Sequence, residues 1–124
     1  MAVVGIGVDL VDVARFERAL DRTPALKDRL FGAHDLARPL PVHSLAARFA
    51  AKEASLKALG GHIEGFSWHD IQVSGEHNQP PRLVFSGGVA RALHERGIEN
   101  HQLSLSHDAG VAIAFVVMDQ EMPS

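Results

Sequence analysis

Residues 44–59 read SLAARFAAKEASLKAL and are followed by Gly60 and Gly61. Alanine and other strong helix formers fill this stretch, Ser44 can cap its first turn, and the two glycines can stop it. The stretch therefore predicts one long helix that begins at Ser44. At 100° per residue, its large apolar side chains form one stripe that faces a core. These are Leu45, Phe49, Leu56 and Leu59.

Four charged side chains of this helix lie in or beside the apolar stripe. Glu53 and Lys57 are four residues apart on one border, where such a pair is a common surface feature worth about 0.2–0.5 kcal/mol. Arg48 lies on the opposite border. Lys52 points into the stripe itself, so we expect its stem to snorkel to water or its charge to meet a partner subunit.

The strand predicted over residues 3–11 carries two glycines and a carboxylate on one face. Because successive side chains alternate, Gly5, Gly7 and Asp9 share that face, opposite Val4, Ile6, Val8 and Leu10. Glycines at such positions allow a helix, another subunit or a ligand to come close to the backbone. The run is not a dinucleotide fingerprint, because Leu10 stands where the third glycine would be needed.

The rest of the chain mixes short helices and strands. A helix capped by Asp12 should follow the first strand, and a short helix around residues 25–31 should precede a proline-containing loop. Further elements are predicted as strands over 69–75 and 82–87, a helix over 89–97, and strands over 101–107 and 111–118. This order favours an α+β class, with one small domain over residues 1–124 and an antiparallel sheet packed against the long helix.

The composition excludes several classes of function. The 124 residues carry a formal net charge of -3 and no cysteine. The charge argues against nonspecific binding to nucleic acid or to an anionic membrane surface, and the lack of cysteine excludes disulfides and thiolate metal sites. No apolar run approaches the length of a membrane span. We therefore expect a cytoplasmic protein with neither nucleic acid nor membrane as a partner.

His107 completes a group of residues that suits a magnesium-pyrophosphate site. It ends the apolar row of the strand over residues 101–107, where a histidine is usually an edge residue but can also donate to, or act as a base for, an anionic ligand. The histidines do not have metal-binding spacing. Magnesium commonly takes one or two carboxylates and completes its shell with phosphate oxygens and water. Asp9 and Glu53 are suitable carboxylates, and Lys57 and His107 can meet the remaining phosphate charge.

Four stretches resemble, in order and spacing, the holo-[acyl-carrier-protein] synthases, the small bacterial 4'-phosphopantetheinyl transferases. They are GIGVDLVDVARF, LAARFAAKEASLKALG, DIQV and LSLSHDAGVAIAFVV. The resemblance covers nearly the whole chain and implies the transferase fold. It implies transfer of the phosphopantetheine arm of coenzyme A to a serine of an acidic apo acyl carrier protein, with release of adenosine 3',5'-bisphosphate. It also implies Mg²⁺ as cofactor and a homotrimer with active sites between subunits.

Matched position by position, the resemblance implies roles for four residues. Asp9 and Glu53 correspond to the two magnesium-linked carboxylates. Lys57 corresponds to the lysine that holds coenzyme A phosphate, and His107 to the histidine near the pyrophosphate. Glu53 is the first choice and His107 the second for the base that takes the serine proton, and the sequence does not separate them.

Three further residues fall in matching positions, and three segments depart from the pattern. Arg48 and Gly60 are candidates for contact with the ligand, and Arg15 matches a basic position that meets the carrier protein. The departures are residues 32–43, residues 61–65 and Gln79.

Two other functions are compatible with parts of the sequence. Cyclodiphosphate synthases of isoprenoid synthesis also have glycines before an aspartate, but they need a metal-binding histidine where this chain has Val11. A noncatalytic module could bind carrier proteins through Arg15, Arg18 and Arg22. Such a module would have no need for Glu53 and Lys57.

Overall fold

The computed structural model of the chain describes residues 1–75 and 78–121. In chain order the strands and helices are β1 (Ala2–Asp12), α1 (Val13–Arg22), α2 (Leu26–Leu30), α3 (Val42–Ala58), β2 (Ile71–Ser74), β3 (Arg82–Phe85), α4 (Gly87–Glu95), β4 (Asn100–Asp108) and β5 (Val111–Gln120). A 3-10 turn at Trp68–Asp70 leads into β2. Across these ranges, no helix combines the length and apolar character that crossing a membrane requires.

The long helix α3 packs across an antiparallel sheet in which β5 lies between β1 and β4. β2 and β3 form a second antiparallel sheet. Small side chains let α3 approach the first sheet closely, and the fully buried ones include Ala46, Ala50 and Ala54 on the helix and Ala112 and Ala114 on β5. The predicted α+β class, with an antiparallel sheet against a long helix, is confirmed.

Gly5 and Gly7 allow the backbone of β1 to contact the backbone of α3. A Cβ atom at Gly5 would overlap the carbonyl oxygen of Ala58, and one at Gly7 would overlap the carbonyl oxygen of Ala54. Of the three neighbours that the sequence left open, the helix is therefore the one that fills this space. The sequence had also allowed a ligand to reach the strand at these glycines, but the helix occupies that space.

The opposite face of the sheet is apolar and open. On β1, the exposed fractions are 47% for Val4, 58% for Ile6, 48% for Val8 and 62% for Leu10. β5 adds Ile113 and Phe115, both also exposed. Soluble monomers rarely present so many large apolar side chains side by side, so this face is suited to contact with another protein surface.

The helix α3 begins two residues before the predicted start. Pro41 precedes its first turn, and the carbonyl oxygen of Pro41 accepts hydrogen bonds from the backbone N–H groups of Ser44 at 3.0 Å and Leu45 at 3.2 Å. The prediction of Ser44 as the cap is wrong, because Ser44 already lies inside the helix. Proline is compatible with this position, since its own missing N–H is not needed there.

The predicted stop at two glycines is confirmed. Gly60 has a φ of 88°, in the left-handed region that glycine adopts without a steric penalty. Its N–H donates to the carbonyl oxygen of Lys57 at 3.1 Å, and the N–H of Gly61 donates to that of Leu56 at 2.8 Å. This pair of hydrogen bonds is a common way to satisfy the last carbonyl groups of a helix.

The shorter elements agree with the sequence except at their ends. Asp12 caps α1 as predicted, since its carboxylate accepts a hydrogen bond from the N–H of Arg15 at 2.8 Å. The strand predicted over residues 69–75 is shorter, because Ser67 and Asp70 exchange capping hydrogen bonds and hold His69 in the 3-10 turn. The helix predicted over residues 89–97 begins at Gly87. Residues 76–77, between the strands predicted over 69–75 and 82–87, and residues 122–124, after the last predicted strand, lie outside the described residues.

Lys52 is held inside the protein by an ion pair. Its Nζ lies 2.8 Å from the carboxylate of Asp35, and both side chains are fully buried. The same Nζ donates to the carbonyl oxygens of Trp68, at 3.2 Å, and Ile71. The prediction that Lys52 snorkels or meets a partner subunit is therefore wrong, because the chain itself supplies the negative charge.

Asp35 joins the loop before α3 to strand β2. Its carboxylate accepts hydrogen bonds from the backbone N–H groups of Gly32 at 3.0 Å and Val73 at 2.8 Å, besides the ion pair. Burial lowers the pKa of Lys52, and the charge of Asp35 opposes that change. One buried pair of charges thus joins the loop before α3, the helix itself and strand β2.

We predict that Lys52→Met lowers the free energy of unfolding by about 3–5 kcal/mol, because it leaves the carboxylate of Asp35 buried without its partner. Urea unfolding at a fixed protein concentration measures this change. As a control, Arg91→Met on the exposed surface of α4 should change the free energy by less than about 0.5 kcal/mol. Equal stability of the two variants would contradict the importance of the buried pair.

Candidate active site

Strand β1 and helix α3 bring three of the predicted site residues to one cavity. Lys57 Nζ donates to the carboxylate of Asp9 at 2.9 Å and to the carbonyl oxygen of Val8 at 3.1 Å. Asp9, Glu53 and Lys57 line a cavity of about 480 Å³, which Arg15 of α1 also borders. Asp9 reaches it because it follows Gly5 and Gly7 on the face of β1 that contacts α3.

The pKa of Glu53 is raised in this cavity. Partial burial contributes most, the negative charge of Asp9 adds to it, and Lys57 opposes both. Two carboxylates that repel each other across an open cavity favour the entry of a cation. Lys57 supplies part of that positive charge through its ion pair with Asp9.

We predict that Asp9→Asn lowers the pKa of Glu53 in the metal-free protein, because it removes the neighbouring negative charge. Lys57→Met should raise the same pKa, because it removes the neighbouring positive charge. Titration of the side-chain carboxyl carbon of Glu53 by ¹³C NMR measures both changes. A pKa of Glu53 that is unchanged in both variants would show that burial alone determines it.

The donor atoms of this cavity fit Mg²⁺. Among the residues that the structure describes, no group of three or more His, Cys, Asp or Glu side chains could enclose a metal. Magnesium rarely uses such a cage, and it is commonly held by one or two carboxylates together with phosphate oxygens and water. Asp9 and Glu53 provide two carboxylates in a cavity with room for those other ligands.

Arg48 and His107 lie in a second cavity, of about 190 Å³, between the start of α3 and the end of β4. Arg38 and His43 line it as well, and none of its lining residues in the described part of the chain is acidic. The guanidinium of Arg48 donates to the carbonyl oxygen of Val73. Burial lowers the pKa of Arg48, Asp35 raises it and Arg38 lowers it. This cavity is suited to an anionic ligand.

The predicted site residues therefore fall into two groups within one chain. Arg48 and Glu53 are five positions apart on α3, which places them on different sides of the helix. The periodicity of the sequence had already put these two side chains on opposite borders of the apolar stripe. Gly60 supports the site by ending α3 after Lys57, and its N–H is used in that turn.

Sequence reasoning missed two residues of the second cavity. His43 precedes the predicted start of the helix, so its orientation could not be inferred until α3 was seen to begin at Val42. Arg38 lies in the loop before α3, where no periodicity indicates which way a side chain points. Both residues fall within residues 32–43, one of the segments that depart from the family pattern. Gln79, another departure, also borders this cavity.

One of the alternative functions loses its structural basis. Val11 occupies the position at which cyclodiphosphate synthases need a metal-binding histidine, and it is only 9% exposed. Its side chain belongs to the core around α3. A metal site of that kind is therefore incompatible with this strand.

The class of protein follows from the fold, these residues and a family comparison. The family model described as "4'-phosphopantetheinyl transferase superfamily" matches residues 5–116. The holo-[acyl-carrier-protein] synthase of Leifsonia xyli is 56% identical over 119 residues, which cover 96% of this chain and 98% of that one. The synthase of Clavibacter sepedonicus is 54% identical over 117 residues, covering 94% and 96% of the two chains.

Solved structures give the same result. The crystal structure of the Neisseria meningitidis holo-[acyl-carrier-protein] synthase matches with a TM-score of 0.85 and 32% identity, covering 96% of this chain and 100% of that one. The Helicobacter pylori synthase, solved in complex with coenzyme A, matches with a TM-score of 0.79 and 32% identity, covering 92% and 99%. The chain therefore belongs to the holo-[acyl-carrier-protein] synthases of the 4'-phosphopantetheinyl transferase superfamily and is an enzyme, as the resemblance of its motifs implied.

Proposed function

We propose that this enzyme transfers the 4'-phosphopantetheine arm of coenzyme A to a serine of an apo acyl carrier protein, with Mg²⁺ as cofactor. The observation that carries the proposal is the cavity in which Asp9, Glu53 and Lys57 meet. It offers two carboxylates for a divalent cation and one ammonium group for phosphate. The names of the relatives, and the coenzyme A complex of one of them, support this choice of substrates.

The reaction breaks a phosphoanhydride bond of coenzyme A and forms a phosphoester bond to the serine. The serine oxygen forms a bond to the phosphorus that carries the pantetheine arm, and the bond from that phosphorus to the bridging oxygen of the pyrophosphate breaks. Adenosine 3',5'-bisphosphate leaves with the electron pair of the broken bond. Bound Mg²⁺ would supply positive charge against the pyrophosphate, and Asp9 and Glu53 are the side chains that would hold it.

Glu53 is also the first candidate to take the proton of the serine. Its carboxylate lines the cavity in which the pyrophosphate would bind, and a general base must lie within hydrogen-bond reach of the proton that it takes. The ammonium group of Lys57 can turn from Asp9 to a phosphate oxygen, because more than half of its side chain is exposed. His107 is the second candidate for the base.

We further propose a homotrimer in which each active site combines residues from two subunits. Asp9, Glu53 and Lys57 lie in one cavity of a chain, and Arg48 and His107 lie in another. A second copy that covers the apolar face of β1 and β5 could bring its second cavity next to the first cavity of its neighbour. The same contact would remove the exposed side chains of that face from water.

The carrier protein is proposed to bind beside α1. Arg15, Arg18 and Arg22 are exposed on this helix, and Arg15 also borders the cavity of Asp9 and Glu53. An acidic helix of the carrier protein would complement these charges and bring its serine to that cavity. Carriers of fatty acid synthesis, of polyketide synthesis and of megasynthases are the candidate partners.

We predict that an apo acyl carrier protein gains the mass of one phosphopantetheine arm when it is incubated with this enzyme, coenzyme A and MgCl₂. Mass spectrometry of the carrier measures the gain, and EDTA should prevent it. Asp9→Ala and Glu53→Ala should each lower kcat/KM at least about 100-fold, because each removes a ligand of the proposed metal.

The exposed Glu95→Ala on α4 is the matched carboxylate control and should retain wild-type activity. Folding of each variant is checked by circular dichroism. No mass gain with several different carrier proteins, or full activity of Asp9→Ala at low MgCl₂, would contradict the proposal.

We also predict that two inactive variants restore activity when their subunits mix. Asp9→Ala subunits keep His107, and His107→Ala subunits keep Asp9, so an active site shared between two subunits regains both residues in some mixed pairs. Random mixing of equal amounts should give about a quarter of the wild-type activity, and isolated trimers that contain both variants about a third, because each has one complete site in three. Co-expression with two affinity tags isolates the mixed oligomer. A mixed oligomer without activity would contradict a site shared between subunits.

A further inference from the structure

We propose that His43 is a positioning residue that holds the imidazole of His107 in the second cavity. The two rings lie with their centroids 4.3 Å apart and their planes tilted by 38°. At this distance the ring atoms are in van der Waals contact. The inference deepens the proposed function, because it concerns how the chain prepares His107 for the phosphate groups of coenzyme A.

His107 has little else to fix its ring. It is exposed and lies close to the end of β4. Open space lies on two sides of it. One side is the cavity that it shares with Arg48, and the other is a cavity of about 320 Å³ next to Asp108 and Val13. Between these spaces, the ring of His43 is the aromatic surface that His107 contacts.

His43 is better anchored than the residue it contacts. It lies in the first turn of α3, directly before Ser44, and it is half-buried. α3 is fixed in turn by the buried pair of Lys52 and Asp35. A rigid helix therefore carries the ring that restricts His107, which is the arrangement expected where a ligand-binding side chain must be held ready in one orientation.

The consequence for catalysis is specific. If His43 acts through His107, then His43→Ala should change the same kinetic parameter as His107→Ala, whether this is the KM for coenzyme A or kcat. We expect His43→Ala to lower kcat/KM about tenfold, since a misplaced group costs less than a removed one. His43→Phe keeps an aromatic ring and should retain most of the activity.

A double-mutant cycle separates this role from a merely structural one. Once His107 is absent, its position no longer matters, so His43→Ala combined with His107→Ala should be no less active than His107→Ala alone. A structural role of His43 would instead multiply the two losses. The exposed His94→Ala on α4 controls for the loss of a histidine elsewhere and should leave activity unchanged.

A measurement without substrate tests the contact independently of the proposed function. In ¹H–¹³C NMR spectra, the Cε1–H signal of His107 should shift when His43→Ala removes the neighbouring ring, and it should stay close to the wild-type position in His43→Phe. A spectrum of His107 that His43→Ala does not alter would overturn the proposal even if transfer activity were absent. With transfer established, multiplied losses in the double variant, or equal losses in His43→Phe and His43→Ala, would overturn it as well.

Discussion

The direct contact between the backbones of β1 and α3 is the constraint on which the rest of the structure depends. Gly5 and Gly7 have no side chains, so the strand lies against the carbonyl groups of Ala54 and Ala58. This close contact fixes the position of the strand along the helix as well as its distance from it. Asp9, the next residue on the same face, therefore lies beside the last turns of α3 and forms an ion pair with Lys57.

The buried charge on α3 constrains other parts of the chain. Lys52 and Asp35 form a buried pair that, by itself, stabilises the protein little, since burying two charges costs about as much as their attraction returns. Its value lies in which segments it joins. Asp35 brings the loop around Gly32 and the strand around Val73 against the helix, and the carbonyl oxygen of Val73 also accepts a hydrogen bond from Arg48. The hydrogen bonds of Asp35 and Arg48 to Val73 therefore stabilise the fold and also position Arg48 in the second cavity.

Much of this arrangement could be predicted because it follows from periodicity. The period of a strand placed Gly5, Gly7 and Asp9 together, and the period of a helix placed Glu53 beside Lys57. Both patterns are local, so they can be read from the sequence without knowing which surface the strand or the helix packs against.

What could not be predicted depends on long-range contacts. Asp35 lies in a loop without periodicity, so nothing in the sequence indicated that it would neutralise Lys52. The orientation of His43 depended on a helix start that Pro41, rather than Ser44, determines. The sequence could not assign the space beside Gly5 and Gly7 either, because a glycine indicates a close neighbour without indicating which one.

The burial of α3 has a consequence for how this enzyme can vary. Of the seventeen residues in Val42–Ala58, only Lys57 is exposed, and that residue is itself part of the candidate site. An ordinary surface helix such as α1 has a solvent-facing side on which most substitutions are neutral. α3 has no such side, so both folding and chemistry restrict nearly every position. Substitutions, whether natural or engineered, should therefore be tolerated more often in α1 and α4 than in α3.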